Sequence, residues 1–326
     1  MRNRVRLLAA AVALTAFGSA PAFAANEGAW PSARPIRLVV PFPPGGNSDL
    51  IARVYGQKLS EAIGQTVYVE NRAGAAGAIG TAAVAKDKPD GYTFLLGDVA
   101  THVINRFAIA NLAYDPEADF VPVSRLTSVS LAVLANKQRP FNTMQEFIAA
   151  AKAKPGSLTF ASAGPGTPGR LAMEMLRAAT GTDLVHVPYK GSSPAVNDLI
   201  GGQVDVMIDG SAGPMVKAGK LKVLAVTGDR SPSFPDAPTL AQAGVSNLKF
   251  VSWHGLFAPK GTPPEVVNRV AAELAKIGQQ SAVRQQFADL GIDVVTESGP
   301  AFQAFIAQQR AAITAIVKDR KIRFDE

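Results

Sequence analysis

The chain alternates between short β-branched apolar runs and longer stretches in which apolar residues recur at helical spacing. Residues 36–40 form the first short run and predict a buried strand. A helical pattern then predicts a helix that begins at Asn47 or Ser48 and stops at Gly64. Further strands are predicted at residues 66–70 and 92–96. Strands that alternate with helices in this way are typical of βαβ units around a parallel sheet.

The same alternation restarts in the second half of the chain. Capping boxes at residues 143–146 and 262–265, and Ser193 followed by Pro194, predict three helix starts. Strands are predicted at residues 129–134, 158–162, 185–187, 204–208, 223–226 and 250–258. The order predicts two α/β lobes, the first completed by a C-terminal helix. We expect residues 25–126 and 249–326 to form lobe 1 and residues 127–248 to form lobe 2.

The N-terminus has the three parts of a secretory signal peptide. Arginines at positions 2, 4 and 6 precede an apolar run at residues 7–17, and Ala22-Phe23-Ala24 forms a cleavage site. The apolar run is shorter than the ~20 residues that a membrane span needs, which argues against an uncleaved anchor. We therefore expect residues 1–24 to be removed near Ala24 and the mature protein to be exported.

Composition excludes several classes of site. The 326 residues contain no cysteine, which excludes disulfides, thiolate metal sites and cysteine nucleophiles. They contain three histidines, which disfavours a histidine metal cluster. Removal of the leader, with its three arginines and no acid, lowers the net charge from +7 to +4. The remaining charge is dispersed and aromatic residues are sparse, so we expect neither nucleic acid nor a cofactor as a partner.

Catalytic signatures are absent from the sequence, and one apparent cofactor motif is a decoy. Residues 164–169 match the dinucleotide pattern G-x-G-x-x-G between a predicted strand and helix. Two prolines interrupt the motif, and Asp183 follows Gly181 in a predicted turn instead of ending a strand. What remains is a loop that carries backbone N–H groups to a helix N-terminus, where an anion is favoured.

Two more glycine loops connect a predicted strand to a helix. In residues 42–49, Gly45 and Gly46 let a ligand approach the backbone, and Asn47 or Ser48 can cap the helix. Asp49 either contacts a ligand or merely complements the helix dipole. The third loop is residues 71–77. In parallel α/β sheets such loops gather beyond the carboxyl ends of the strands, and together they suit a small carboxylate.

The three histidines leave a hydrolase as the second possibility. A Ser–His–Asp triad need not be close in sequence, so it is not excluded by the missing motifs. We expect His186 to pack within a strand, whereas His254 either lines a cleft or packs, and His102 has no assigned role.

The order of motifs resembles the Bug family, the TctC-like periplasmic solute receptors of tripartite tricarboxylate transporters. The resemblance covers essentially the whole mature chain. It is carried by residues 40–46, 49–53, 69–74, 88–93, 114–115, 119–123, 153–156, 162–167, 186–191, 201–205, 238–240 and 253–256.

The resemblance implies an α/β fold: a two-lobed periplasmic binding protein of type II that closes over its ligand like a Venus flytrap. It implies a monomeric, non-enzymatic receptor that captures a small carboxylate (an organic, amino or aromatic acid) and delivers it to membrane permease subunits. A sensor that feeds a signalling system is the alternative. The ligand residues it implies are Phe42, Pro43, Gly45, Gly46, Ser48, Asp49, Ser162, Ala163, Gly164, Thr167 and Asp209.

Two positions depart from the family pattern. Arg170 stands where many members have histidine, and it either contacts a larger acid or faces solvent. Asn105-Arg106 replaces a frequent Asn-Pro.

Overall fold

The computed structural model describes residues 30–319 apart from 165, 230, 232 and 247, and it also describes residues 322 and 324. The expected signal peptide, residues 1–24, lies outside these. The described part of the chain contains two β-sheets, each flanked by helices and each the centre of one lobe. Among the described helices, none is both long and apolar enough to cross a bilayer.

Eleven strands make up the two sheets in the described part of the chain. In chain order they are β1 (Ile36–Val40), β2 (Val67–Asn71), β3 (Thr93–Asp98), β4 (Phe120–Ser130), β5 (Ala132–Asn136), β6 (Thr159–Ser162), β7 (Val185–Pro188), β8 (Val206–Asp209), β9 (Leu221–Val226), β10 (Val251–Pro259) and β11 (Asp293–Ser298).

Both sheets are mixed, which corrects the expectation of purely parallel ones. The first has the order β11-β4-β10-β3-β1-β2, in which β1 runs parallel to β2 and β3 whereas β10 is antiparallel to β3 and β4. The second has the order β7-β6-β8-β5-β9, in which β6 runs parallel to its neighbours and β5 antiparallel. The strands predicted to belong to βαβ units are the parallel ones.

The helices of the described residues cover both faces of these sheets. They are α1 (Asn47–Ile63), α2 (Ala78–Ala85), α3 (Asn105–Ala108), α4 (Met144–Ala153), α5 (Pro168–Thr180), α6 (Ser192–Gly201), α7 (Gly213–Lys217), α8 (Pro264–Gln279), α9 (Ser281–Ala288) and α10 (Gly299–Asp319). A helical turn at Ala75–Gly77 precedes α2, and a π-helical turn at Ala100–Ile104 runs into α3.

Local signals set the ends of α1 and α4 as predicted. Gly64 ends α1 in a left-handed conformation with φ 70°, and its N–H donates to the Ser60 carbonyl. The Thr143 hydroxyl accepts from the Glu146 N–H at 3.2 Å and so caps α4. The predicted N-terminal caps of α1, α6 and α8 are wrong. Gly46 precedes α1, Gly191 precedes α6 and Pro263 precedes α8, and none of these three has a side-chain cap.

The single strand predicted at residues 129–134 is wrong as well. The chain leaves the first sheet at Ser130 and enters the second at Ala132, so this apolar run belongs to two strands. Leu131 lies at the crossing and exchanges hydrogen bonds with Thr227, which follows the last strand of the second sheet. A short, mostly apolar run carries no periodic signal for such a break.

The C-terminal helix completes the first lobe. Phe302, Ile306 and Ile313 of α10 are buried. The Phe302 ring meets the Trp253 ring of β10 edge-on, with centroids 5.6 Å apart. The expected apolar side of this helix therefore packs on the first sheet, although it is the last segment of the chain.

Candidate ligand-binding cleft

Glycines of the second lobe bring the two lobes into contact at one edge. A methyl group at Gly166 would lie 2.7 Å from Asn105 Oδ1 and 2.9 Å from Ala76 Cβ, both on the first lobe. A methyl group at Gly210 would lie 3.8 Å from Asn47 Nδ2, at the start of α1 in the first lobe. The glycine loops after β1 and β6 thus lie at the boundary of the lobes, where a cleft would hold a ligand.

The loop before α1 is shaped by the buried carboxylate of Asp49. Its Oδ2 atom accepts from Gly45 N at 3.0 Å and from Arg53 Nε at 2.9 Å, and its Oδ1 atom accepts from Asn71 Nδ2 at 2.9 Å. Burial raises the pKa of Asp49, but these hydrogen bonds outweigh it, and the net pKa lies below the usual value. The carboxylate is committed to the protein, so Asp49 acts on the shape of the loop.

The turn itself presents backbone to the surface. Pro43, Gly45 and Gly46 are exposed and Phe42 is half-buried. Gly45 has φ +85°, which a β-branched residue adopts poorly, whereas Gly46 has an ordinary φ of −87°. Because Gly46 provides no side-chain cap, the first-turn N–H groups of α1 have no side-chain acceptor. They form the positive end of a 17-residue helix.

The opposing loop before α5 is folded in the same manner. The Ser162 hydroxyl is fully buried and lies 2.7 Å from His186 Nε2 and 3.2 Å from Gly164 N. Thr167 precedes α5, but its hydroxyl donates to the Gly164 carbonyl at 2.7 Å and does not cap the helix. Ala163 accepts from Gly191 N at 3.1 Å. The side chains of Ser162 and Thr167 therefore fasten the loop, and the amides at the start of α5 again lack a side-chain acceptor.

Asp209 lies at the carboxyl end of β8, beside this loop. Its Oδ2 atom accepts from the Ser192 hydroxyl at 2.7 Å, and its Oδ1 atom accepts from Ser211 N at 2.6 Å and from the Ser211 hydroxyl. The structure thus brings Asp209 to the edge of the second sheet where Ser162 lies, but it uses the carboxylate to join α6 to the strand.

Arg170 does not face solvent, which corrects that expectation. Its side chain is buried, its Nη2 atom lies 3.0 Å from Glu174 Oε1, and its guanidinium lies 5.1 Å above the centre of the Phe160 ring. The charge of Arg170 is therefore balanced within the second lobe.

Asn105 is a residue that the sequence reasoning noticed only as a departure from the family pattern. Its Nδ2 atom donates to the Ala76 carbonyl at 3.1 Å and to the Tyr114 hydroxyl at 3.3 Å. These bonds fix the amide so that Oδ1 points toward Gly166 of the other lobe, where it has no hydrogen-bond partner among the described residues. The Ala76 that it holds has φ 51°, an uncommon value for a residue other than glycine.

His254 lies in β10, packed beneath the start of α1. Its Nε2 atom is 3.1 Å from Ser48 Oγ and its Nδ1 atom is 3.1 Å from Thr127 Oγ1. Burial lowers the pKa of His254 to about 4, so the ring is neutral at physiological pH. His102 is also buried, with its pKa lowered to about 3 by burial, and it stacks on Phe257 at 3.6 Å. No sequence signal linked His254 to Ser48.

The described residues contain no group of three His, Asp or Glu side chains that could hold a metal ion.

Comparisons with known proteins agree with this architecture. Residues 51–322 match the family described as "Tripartite tricarboxylate transporter family receptor". Protein BugT of Bordetella pertussis is 36% identical over 291 residues, which cover 88% of this chain and 89% of BugT.

Two solved structures from Rhodopseudomonas palustris are similar along nearly their whole length. One, solved with adipate, has a TM-score of 0.86 and 33% identity and covers 90% of this chain and 99% of that chain. The other, MatC with bound malate, has a TM-score of 0.82 and 33% identity and covers 88% of this chain and 99% of that chain. The chain belongs to the receptor family of the tripartite tricarboxylate transporters, whose solved members are two-lobed periplasmic binding proteins.

Proposed function

We propose that this receptor captures a small organic acid between its two lobes and delivers it to the membrane permease subunits of a tripartite tricarboxylate transporter. The proposal includes a cleaved leader, residues 1–24, and a monomeric mature protein. It also includes the two lobes expected from the sequence, residues 25–126 with 249–326 and residues 127–248, except that residues 127–130 belong to the first sheet. The ligand residues are those named from the sequence, acting mainly through the backbone of the two loops.

The observation that carries the proposal is a pair of helix N-termini without side-chain caps at the boundary of the lobes. Gly46 has no side chain to offer, and Thr167 turns its hydroxyl to Gly164. Helices α6 and α8 also lack a side-chain cap, so what distinguishes α1 and α5 is that they begin at this boundary from opposite lobes. N-terminal amides without side-chain acceptors, together with the helix dipole, favour a bound anion. Two such termini on opposite lobes fit an acid that closes the cleft by contacting both.

The relatives support a carboxylate as the ligand. Two of them were solved with adipate and malate, which are both dicarboxylates. This chain has the same fold, so we infer the same chemical class and leave the chain length of the acid to experiment.

The histidine contacts argue for a receptor and against a hydrolase. Ser162 is fully buried, so its hydroxyl cannot reach a substrate although His186 is near. Ser48 contacts His254, but the other ring nitrogen of His254 meets the hydroxyl of Thr127 and not a carboxylate. We propose that neither Ser–His contact is a catalytic dyad, and incubation with each bound acid followed by product analysis tests this.

A thermal-shift screen over carboxylates followed by calorimetry tests the proposed ligand class. An acid at one hundred times its Kd stabilises the folded protein by ~2.7 kcal/mol. The matching methyl ester has the same shape at that end without the charge, and we expect it to bind at least tenfold more weakly. Equal affinity for acid and ester would contradict the anion site.

A further inference from the structure

The buried ring of His254 contacts two hydroxyl groups, and the donor and acceptor in each hydrogen bond depend on the tautomer of the ring. Ser48 Oγ lies 3.1 Å from Nε2, and Thr127 Oγ1 lies 3.1 Å from Nδ1. All three side chains are buried, and they come from the first turn of α1, from β4 and from β10. The Ser48 hydroxyl is therefore the one member of the set that lies in the first turn of a helix beginning at the cleft.

A neutral imidazole has one N–H donor and one acceptor nitrogen. In one arrangement Nε2–H donates to Ser48, and Thr127 donates to Nδ1. In the other, Nδ1–H donates to Thr127, and Ser48 donates to Nε2. Because burial keeps the ring uncharged, both nitrogens cannot donate at once.

The two arrangements give Ser48 opposite properties toward the cleft. When Nε2–H donates to Ser48, the hydroxyl proton of Ser48 remains available for a third group. When Ser48 donates to Nε2, the hydroxyl offers only lone pairs to any further partner. A carboxylate has no donor, so only the first arrangement allows a hydrogen bond from Ser48 to a bound acid.

We propose that His254 is a positioning residue that adopts the Nε2–H tautomer in the acid-bound receptor and thereby directs the Ser48 hydroxyl proton to the ligand carboxylate. This inference rests on the proposed function, since it requires an acid beside the first turn of α1. It assigns a ligand-orienting role to a histidine that makes no contact with the ligand itself.

Nuclear magnetic resonance of the nitrogen-15-labelled histidine rings tests the proposal directly. The two neutral tautomers have different ring nitrogen shifts and different couplings to the ring protons. The sequence contains three histidines, so the spectra of a His102→Gln and a His254→Phe variant assign the signals. We expect the Nε2–H tautomer for His254 in receptor saturated with malate, adipate or another acid that calorimetry shows to bind.

A double-mutant cycle adds a readout in affinity. We expect Ser48→Ala to weaken acid binding about tenfold or more, as for loss of a hydrogen bond to a charged group. In a His254→Phe background, where the hydroxyl is no longer oriented, the same change should cost clearly less. His102→Gln is the matched control, since His102 is buried but contacts Thr101 and not Ser48. It should leave affinity unchanged.

The outcomes separate this inference from the proposed function. If an acid binds and His254 carries its proton on Nδ1, or if Ser48→Ala costs the same factor in both backgrounds, the positioning role is wrong and the receptor function stands. If none of the acids binds, both fall.

Discussion

Replacing Gly166 by alanine should weaken acid binding without lowering the stability of the free protein. The new methyl group would lie 2.9 Å from Ala76 Cβ and 2.7 Å from Asn105 Oδ1, both in the opposite lobe. Carbon atoms rest about 3.5–4.0 Å apart, so the lobes would have to separate locally by about 0.6–1.1 Å. An open form relieves this contact, whereas a closed form retains it.

The added methyl group raises the free energy of the closed form and not that of the open form, and this difference sets the expected loss of affinity. Overpacking by one methyl group costs about 1–3 kcal/mol, which corresponds to about 5–150-fold in Kd. Calorimetry gives the affinity, and thermal unfolding without ligand gives the stability. Gly201→Ala is the control, because Gly201 ends α6 and a methyl group there meets nothing within 4 Å. A lower Tm of the free Gly166→Ala protein with unchanged Kd would refute the reasoning, since it would mean that the contact is permanent packing.

Four further outcomes are expected. Gly46→Val should fold and lose binding, since Gly46 has an ordinary φ and open space around it; unchanged affinity in calorimetry would remove it from the site. Asp49→Ala should lower the free energy of unfolding by about 1–3 kcal/mol in a denaturant titration, because the donors on Gly45, Arg53 and Asn71 lose their acceptor. Stability should fall as pH drops below ~6.5, by up to ~1.4 kcal/mol per pH unit for each buried histidine, because His102 and His254 have folded pKa values of about 3 and 4. Burial raises the pKa of Asp98 to about 6, so its contribution to the free energy of unfolding falls as pH rises and partly offsets the effect of the histidines. A Tm that is independent of pH between 7 and 4.5 would contradict the neutral histidines. Small-angle scattering should show a smaller radius of gyration in saturated receptor, and an unchanged radius would argue against closure.

Elements with strong local signals were predictable from the sequence. The strand at Ile36–Val40 and the helix that follows it lie where periodicity and Gly64 place them. The capping box of α4 forms as predicted, with the Thr143 hydroxyl accepting from the Glu146 N–H. In these cases neighbouring residues alone decide the structure.

The caps of the cleft helices could not be predicted in this way. Asn47 and Ser48 are good capping residues, yet both lie inside α1, Gly46 takes the cap position, and the Ser48 hydroxyl meets a histidine 206 positions away. Thr167 likewise bonds its own loop. At these two helices, contacts with a distant strand or within the loop replace the local capping preference, and a single sequence does not reveal such contacts.

The nearness of residues across the lobes was also beyond the sequence. Asn105 and Gly166 come from opposite lobes and meet only because both lobes place a loop at the same boundary. The residue types named for the loops were informative, but the structure gives several of them a different use. The carboxylates of Asp49 and Asp209 accept hydrogen bonds from residues of their own lobes.

A crystal structure of the receptor with the acid identified by the screen tests the central claim most directly. The account predicts carboxylate oxygens about 2.7–3.2 Å from backbone nitrogens in the first turn of α1 and in the loop before α5, with both lobes contacting one ligand molecule. An acid held instead by lysine or arginine side chains, or bound outside the boundary of the lobes, would contradict it.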